Sequence, residues 1–554
     1  MRSLSWRGGR GAALAIALGL ALVVACAPAA APSSKPAESK PTAAPAKPAE
    51  AKPTEAPKPA VVPTVAPPAA KPTEAAKPAA RTPNGDLKIG LAAKLTTLDP
   101  HGAQSVDRET HTAMQHVLET LVKRDPKTGN IVPNLATGWT NPEPTITVFT
   151  LRQGVKFHDG SALSSADVKA TIERVVAQKG PVAPLWAQVD TIETPDPQTV
   201  RIKTKVPVGT LVANTVLLPI GPAAGMNADG FWSKPIGTGP FKFSSWRADA
   251  DLKLEANAEY WAGPPAAKTL TFKYIPEVAA RVTAIETGEL DFTYRLPPDQ
   301  VPALEKNAEL KIESIPSYDY YFIWFNSSRE PFTDKRVRQA MVHAIDVDTI
   351  VKDLLKGIGQ RATAPIPPTV FGHAAQTPYA YDVAKAKQLL AEAGKPGGFE
   401  TDVIWYSGAG PQDREIGQAL VSYWNAIGVK VKILEQERAQ WLDNLIKLNW
   451  NMDLQTNSVT TGDADFTLGR LYHSRANRNG YKNPELDKIL DDAAQAVDQN
   501  KRKELYAQAN KIIWEEAAGI FPFDLLSNFA YRKSVTGFVP SPSSIYSFYD
   551  VSPK

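Results

Sequence analysis

The sequence predicts an α/β protein with parallel strands and more than one core, and three observations carry that expectation. The chain has 554 residues, 43% hydrophobic and 22% charged, which is the balance of an ordinary globular protein. From Asp86 onward, strand-like and helix-like periodicities alternate. At 400–434 one unit is complete: an apolar strand over Thr401–Tyr406, a Gly-containing loop, a helix over Asp413–Ile427, and a second strand from Val429 to Ile433. A strand–helix–strand crossover of this size joins parallel strands, and in such sheets ligands bind beyond the carboxyl ends. That rule points at the loop after Tyr406.

The N-terminus stands apart from this pattern. Arg2, Arg7 and Arg10 precede an apolar stretch, Ala12 to Val24, which reads as a secretory leader over residues 1–25 and is too short to span a bilayer stably. It ends in Leu22-Val-Val-Ala-Cys26, which resembles the bacterial lipobox. Cys26 is the one cysteine in the chain and is expected to be diacylated as the mature N-terminus. A single cysteine also excludes intrachain disulfides. Residues 26–85 are Ala/Pro/Lys/Glu low complexity, and 15 of the 48 prolines fall between Ala27 and Gly85. Such a composition cannot offset chain entropy, so a disordered tether is expected, stiffened toward polyproline II and reaching on the order of 150 Å. A tethered domain implies a partner on the same membrane.

The formal charge of +4 belongs to these terminal segments. Residues 82–554 hold 51 basic and 54 acidic side chains, so the folded part has no basic excess with which to bind nucleic acid.

Within the folded part, Asp86–Ala92 is expected as a first strand and Asp107–Leu121 as a helix. Ile146–Leu151 alternates as a half-buried strand. Ser164-x-x-Asp167 resembles a capping box before Val168, Ile172 and Val175 at helical spacing. Asp382 can cap a helix over 382–393 that ends at Gly394, and Gly428 supplies the left-handed stop after the 413–427 helix. Gly237-Thr-Gly239-Pro240 lacks the Lys-Ser/Thr of a phosphate loop and is read as a tight turn, as is His158-Asp159. His111 and His116 are five apart and do not share a helical face, so no zinc pair is expected. The common hydrolase and nucleotide signatures are missing, and no catalytic residue or cofactor is assigned.

Several segments, in order along the chain, resemble family 5 extracellular solute-binding proteins, the peptide- and nickel-binding group of bacterial ABC importers. They include Phe149-Thr-Leu-Arg-Gln-Gly-Val-Lys-Phe-His-Asp-Gly160, Ile236-Gly-Thr-Gly-Pro-Phe241, Arg281–Asp291, Phe325-Asn326 with Pro331–Ala340, and Tyr381–Gly394. The resemblance implies a two-lobed, periplasmic-binding-protein-like α/β fold of the class with an extra domain, closing over its ligand between domains I and III. It places domain I at 86–125, 226–315 and 519–554, domain II at 126–225, and domain III at 316–518. It also implies an extracytoplasmic monomer that delivers a small solute to ABC permease subunits, most readily oligopeptides. Oligosaccharides, nickel chelates and opines stand as alternative solutes, and a surface chaperone or adhesin or a peptide hydrolase as alternative functions.

In peptide-binding relatives an aspartate pairs with the ligand ammonium, and the matching segment here is Thr460-Thr461-Gly-Asp463-Ala-Asp465. Asp463 is therefore the expected anchor, with Thr460 and Thr461 beside it, while Asp465 either shares that role, joins it in binding a metal chelate, or caps the following helix. Tyrosine and tryptophan at the strand end, Trp405 and Tyr406, suit an apolar or sugar-like ligand face. The arginine that dipeptide binders place near this strand end is absent until Arg414.

Overall fold

The computed structural model describes residues 81–102, 107–297, 299–406, 408, 410–543 and 545–553. The leader (1–25), Cys26, nearly all of the Pro/Ala-rich segment and Ser407 lie outside the described residues. The last five residues assigned to the tether are docked rather than free. Arg81 pairs with Asp550 at 2.9 Å and lies over the Tyr549 ring, and the Asn84 amide donates to the Ala266 carbonyl at 2.9 Å.

A single sheet of twelve strands runs through both lobes. At its centre are two long strands, Leu310–Phe325 and Phe523–Arg532, paired antiparallel from Leu310↔Arg532 to Tyr320↔Asp524, with the register shifting between Pro316 and Tyr320. Toward one end lie Phe292–Tyr294, Asp86–Leu91, Thr269–Tyr274, Asp251–Ala256 and Phe241–Arg247. Toward the other lie Met452–Ser458, Glu400–Tyr406 and Lys430–Gln436. The predicted crossover is present, with Glu400–Tyr406 parallel to Lys430–Gln436 and to Met452–Ser458. A separate antiparallel sheet of four strands, spanning Ala136 to Thr204, carries the helix Ser165–Gln178.

Burial explains why these segments hold. Ile416, Leu420 and Trp424 from the crossover helix, which runs Asp413–Asn425 and stops short of the expected Ile427, pack with Ile427 on Tyr321, Ile323 and Trp405 in one core. Leu87, Ile89, Phe241, Phe272 and Phe548 make a second under the opposite lobe. A third core joins Phe149, Val168 and Ile172 of the four-stranded sheet and its helix to Tyr320, Trp324 and Tyr472. At the helix Ser165–Gln178, the Ser164 amide donates to Asp167 at 2.8 Å. Asp382 accepts the Lys385 amide at 2.8 Å, and Gly394 and Gly428 take φ of 76° and 85°. His158-Asp159 is a turn in which Asp159 accepts the Ser161 amide at 2.9 Å.

The helix expected over Asp107–Leu121 is shorter, Arg108–Met114. Its continuation fails because the His116 and Val117 carbonyls are given to the amides of Phe241 and Gly239, each at 2.9 Å. The Gly-Thr-Gly segment makes that seat. A Cβ on Gly237 would fall 2.0 Å from the Val117 carbonyl oxygen, and one on Gly239 2.4 Å from that of His116. These glycines allow backbone to lie on backbone.

Among the described residues no helix is long and apolar enough to cross a membrane, and no three His, Cys, Asp or Glu side chains are placed to hold a metal.

Candidate functional site

Three parallel strands run to the same side, Tyr406 ending level with Gln436 and Ser458 reaching further along, and unusual polar chemistry lies along this part of the sheet. Strand Met452–Ser458 sends Met452 and Leu454 into a hydrophobic core, as its alternation requires. Its opposite face carries Asp453, Gln455 and Asn457, and this face is not open solvent. Two helices contact it. Trp441, from helix Arg438–Ile446, donates its indole N–H to Asp453 at 2.8 Å. From helix Asp465–Tyr472, Arg470 donates to Asn457 Oδ1 at 3.3 Å, and the hydroxyl of Thr467 accepts from Asn457 Nδ2 at 3.1 Å. Asn457 Nδ2 also donates to the Tyr320 hydroxyl at 3.3 Å.

Burial dominates the electrostatics of this row. Asp453 is fully buried without a cation, and desolvation pushes its carboxyl up to about 7 against the opposing hydrogen bonds of Trp441 and Gln455. Asp524, two strands away on Phe523–Arg532, is also pushed to about 7 by burial, and its Oδ1 has no hydrogen-bond partner. Buried acids of this kind are costly to a fold, which makes this part of the sheet a candidate site.

The opposite lobe comes down on the same edge. Arg108 reaches Asp319 at 3.0 Å, and Asp319 is the cross-strand partner of Ser458. Arg124 donates through Nε to the Thr461 carbonyl. Gly462 permits that approach, because its φ is +66° and a Cβ there would stand 2.6 Å from the Tyr318 hydroxyl and 2.7 Å from Arg124 Nε.

Against this geometry the expected site residues separate. Asp463 is buried, but both its oxygens are taken by Arg502, at 2.7 and 3.0 Å, and it also accepts the Asp465 amide at 3.1 Å. Burial would lower Arg502, yet the charge of Asp463 holds it raised. The expected ligand-ammonium anchor is therefore already matched within the chain. Asp465 is the first helical residue rather than the cap, and burial together with the charge of Asp463 raises it to about 6. Trp405 is wholly buried, with Gly417 packed so closely that a Cβ would meet its ring at 2.6 Å; it belongs to the core. Tyr406, its neighbour on the other face, is half-buried against Trp441 with ring centroids 4.7 Å apart. Thr461 is buried and offers its carbonyl to Arg124, while Thr460 is half-buried. Arg414 is spent on Glu435 at 2.8 Å. Asp453, Gln455, Asn457, Trp441 and Arg470 were not anticipated. The period-two polar series Asp453-x-Gln-x-Asn457 was the available signal, and it reads equally as a solvated face.

Two lobes joined by crossing strands, with a polar and aromatic surface toward the carboxyl ends of parallel strands, are the arrangement of a solute-binding protein. Residues 130–479 match the family model of bacterial extracellular solute-binding proteins, family 5 Middle. The glutathione-binding protein GsiB of Pectobacterium atrosepticum is 31% identical over 486 residues, covering 84% of this chain and 93% of that protein. The periplasmic binding protein DppA of Helicobacter pylori, solved with peptide STSA, has a TM-score of 0.72 at 26% identity and covers 85% of this chain and 98% of that one. The oligopeptide-binding protein AppA of Bacillus subtilis, solved with a nonapeptide, also has a TM-score of 0.72 at 26% identity, over 86% of this chain and 100% of that one. The chain belongs to family 5 of the bacterial extracellular solute-binding proteins, which serve ABC importers and are not enzymes.

Proposed function

We propose that this protein captures peptides or peptide-like solutes such as glutathione at the carboxyl edge of its parallel strands and delivers them to an ABC permease. The observation that carries the reading is the polar row Asp453, Gln455 and Asn457 under two helices, on a strand whose carboxyl end leads to the contacts Arg108–Asp319 and Arg124–Thr461 made from the other lobe. A peptide presents polar groups at fixed spacing, and the half-buried Gln455 and Asn457 bring polar side chains toward the carboxyl end of this strand, where such a ligand would lie. The glutathione- and peptide-binding relatives support the same class. Lipidation at Cys26 holds the protein to the outer face of the membrane, where it works as a monomer beside its permease.

Calorimetric titration of the full chain with glutathione and with the tetrapeptide Ser-Thr-Ser-Ala tests the ligand class. Saturable binding of either supports it, and no heat from either while a sugar or nickel chelate binds contradicts it. For the anchor, Cys26→Ala should release the protein from membranes or leave its leader uncleaved. Unchanged membrane retention with a processed N-terminus would contradict lipidation.

A further inference from the structure

The four-stranded sheet and its helix Ser165–Gln178 are fastened to one lobe by buried side chains. Arg174 pairs with Asp99 at 2.7 Å and donates to His101 Nδ1 at 3.0 Å, and His101 Nε2 in turn meets the Pro219 carbonyl at 2.6 Å. His158 donates through its amide to the Gly237 carbonyl and through Nε2 to that of Gly239, each at 2.9 Å. The Ile220 amide donates to the Glu119 carbonyl at 2.8 Å, and the Arg152 guanidinium lies 4.2 Å from the Trp261 ring centroid. These partners belong with Leu98, Val117 and Phe241, which share a core with strand Asp86–Leu91. Pulling a buried guanidinium off its carboxylate is strongly unfavourable, so this join is firm.

Toward the other lobe the join is made on main chain. Beyond strand Thr199–Thr204 the chain passes through Val208-Gly209-Thr210 and lies on the link between helices Pro484–Gln495 and Gln499–Glu515. The Gly209 amide donates to the Ala494 carbonyl at 2.7 Å, and a Cβ on Gly209 would fall 1.9 Å from the Ala496 carbonyl oxygen. The two surfaces fit because residue 209 has no side chain. Val208 and Ala496 are half-buried against the shared core, while Val206 and Val497 are 40% and 37% exposed. Arg124, in the hairpin strand Val122–Arg124, likewise donates to a main-chain carbonyl, that of Thr461. A peptide hydrogen bond is worth little net, so the Gly209 join can part where the Arg174 join holds.

We propose that the four-stranded sheet and its helix act as a clasp, moving with the lobe that carries Asp99 and Glu119 and closing by seating Gly209 on the Ala494–Ala496 turn. The clasp uses no residue of the polar row Asp453, Gln455 and Asn457, so it favours the closed form whatever solute is held. Its contribution is to the closed fraction, and apparent affinity scales with that fraction. The inference therefore stands apart from the peptide reading, and neither falls with the other.

Amide hydrogen exchange in the unmodified full chain tests the asymmetry without any substitution or solute. The Gly209 amide should exchange at least about tenfold faster than those of His158 and Ile220, because one join opens while the other stays shut. Exchange at Gly209 as slow as at His158 and Ile220 would overturn the proposal. A second measurement reads the motion. Spin labels on Val206→Cys and Val497→Cys, in a Cys26→Ala background, report the distance across the contact. A short-distance population should be present without solute, should persist in Gly138→Ala, where a Cβ meets nothing within 4 Å, and should shift to longer distances in Gly209→Ala. A distribution that lacks the short population, or that Gly209→Ala leaves unchanged, would contradict the clasp. Failure of Gly209→Ala to fold would do the same, because the contact would then belong to a core rather than to a joint.

Discussion

Asp463 and Asp453 are both buried carboxylates, and their partners give them different work. Asp463 meets Arg502 through both oxygens, so each charge compensates the other inside the protein. Removing one member of a buried pair strands the other, at a cost of about 3–5 kcal/mol. Asp463→Asn should therefore lower unfolding free energy in denaturant titrations by about that amount, while the folded fraction binds solute as wild type does. A loss of affinity without a loss of stability would restore Asp463 as a ligand anchor. Asp453 has no cation, and its carboxyl rises from 3.8 to about 7 because burial disfavours its charge. A raised folded pKa means the native state binds the extra proton between these values, so its contribution to stability is present at low pH and is lost as pH climbs from about 4 to about 7. Asp453→Asn keeps the acceptor for Trp441 and removes the titration. The variant should gain on wild type by a few kcal/mol between pH 4.5 and pH 8, read from denaturation midpoints at the two values. A constant difference across that range would mean Asp453 does not titrate there.

Elements whose signals are local were legible in the sequence. The crossover from Glu400 to Gln436 announced itself through a helical stripe bounded by strands, and Asp382, Gly394 and Gly428 marked their ends as caps do. What was hidden depended on distant neighbours. Nothing near Met114 in sequence says that the next turn will surrender its carbonyls to Gly239 and Phe241, more than a hundred residues on. Likewise Asp453, Gln455 and Asn457 read as a solvated face because the helices that contact them are separate segments. Trp405 and Tyr406 are consecutive strand residues and point to opposite sides, so at most one of them can line a ligand face. The contact at the Gly-Thr-Gly seat yields a paired prediction. Gly237→Ala forces a Cβ to 2.0 Å from a backbone oxygen, whereas Gly138→Ala meets nothing within 4 Å. Gly237→Ala should cost several kcal/mol in thermal or chemical unfolding, and Gly138→Ala about 1 kcal/mol or less. Equal effects would show that the seat can yield.

At the scale of the whole molecule, the lobes share the strands Leu310–Phe325 and Phe523–Arg532 and touch again at Arg108–Asp319 and Arg124–Thr461. We propose that the shared strands act as the hinge and that these two contacts hold the closed form around solute. Arg124→Met keeps the apolar stem and removes the bond to Thr461. It should weaken solute binding by roughly 10–100-fold through faster release, measured by stopped-flow dissociation. An unchanged dissociation rate would place the latch elsewhere. We propose that the carboxyl side of the strands ending at Tyr406, Gln436 and Ser458 receives a small solute of the peptide class. Native mass spectrometry of the full chain, isolated without denaturation and then denatured to release what it holds, tests this most directly. The expected result is a released peptide or peptide-like molecule in one-to-one ratio with protein. A released sugar or metal chelate, or a protein that emerges empty and stays empty after exposure to a peptide digest, would contradict it.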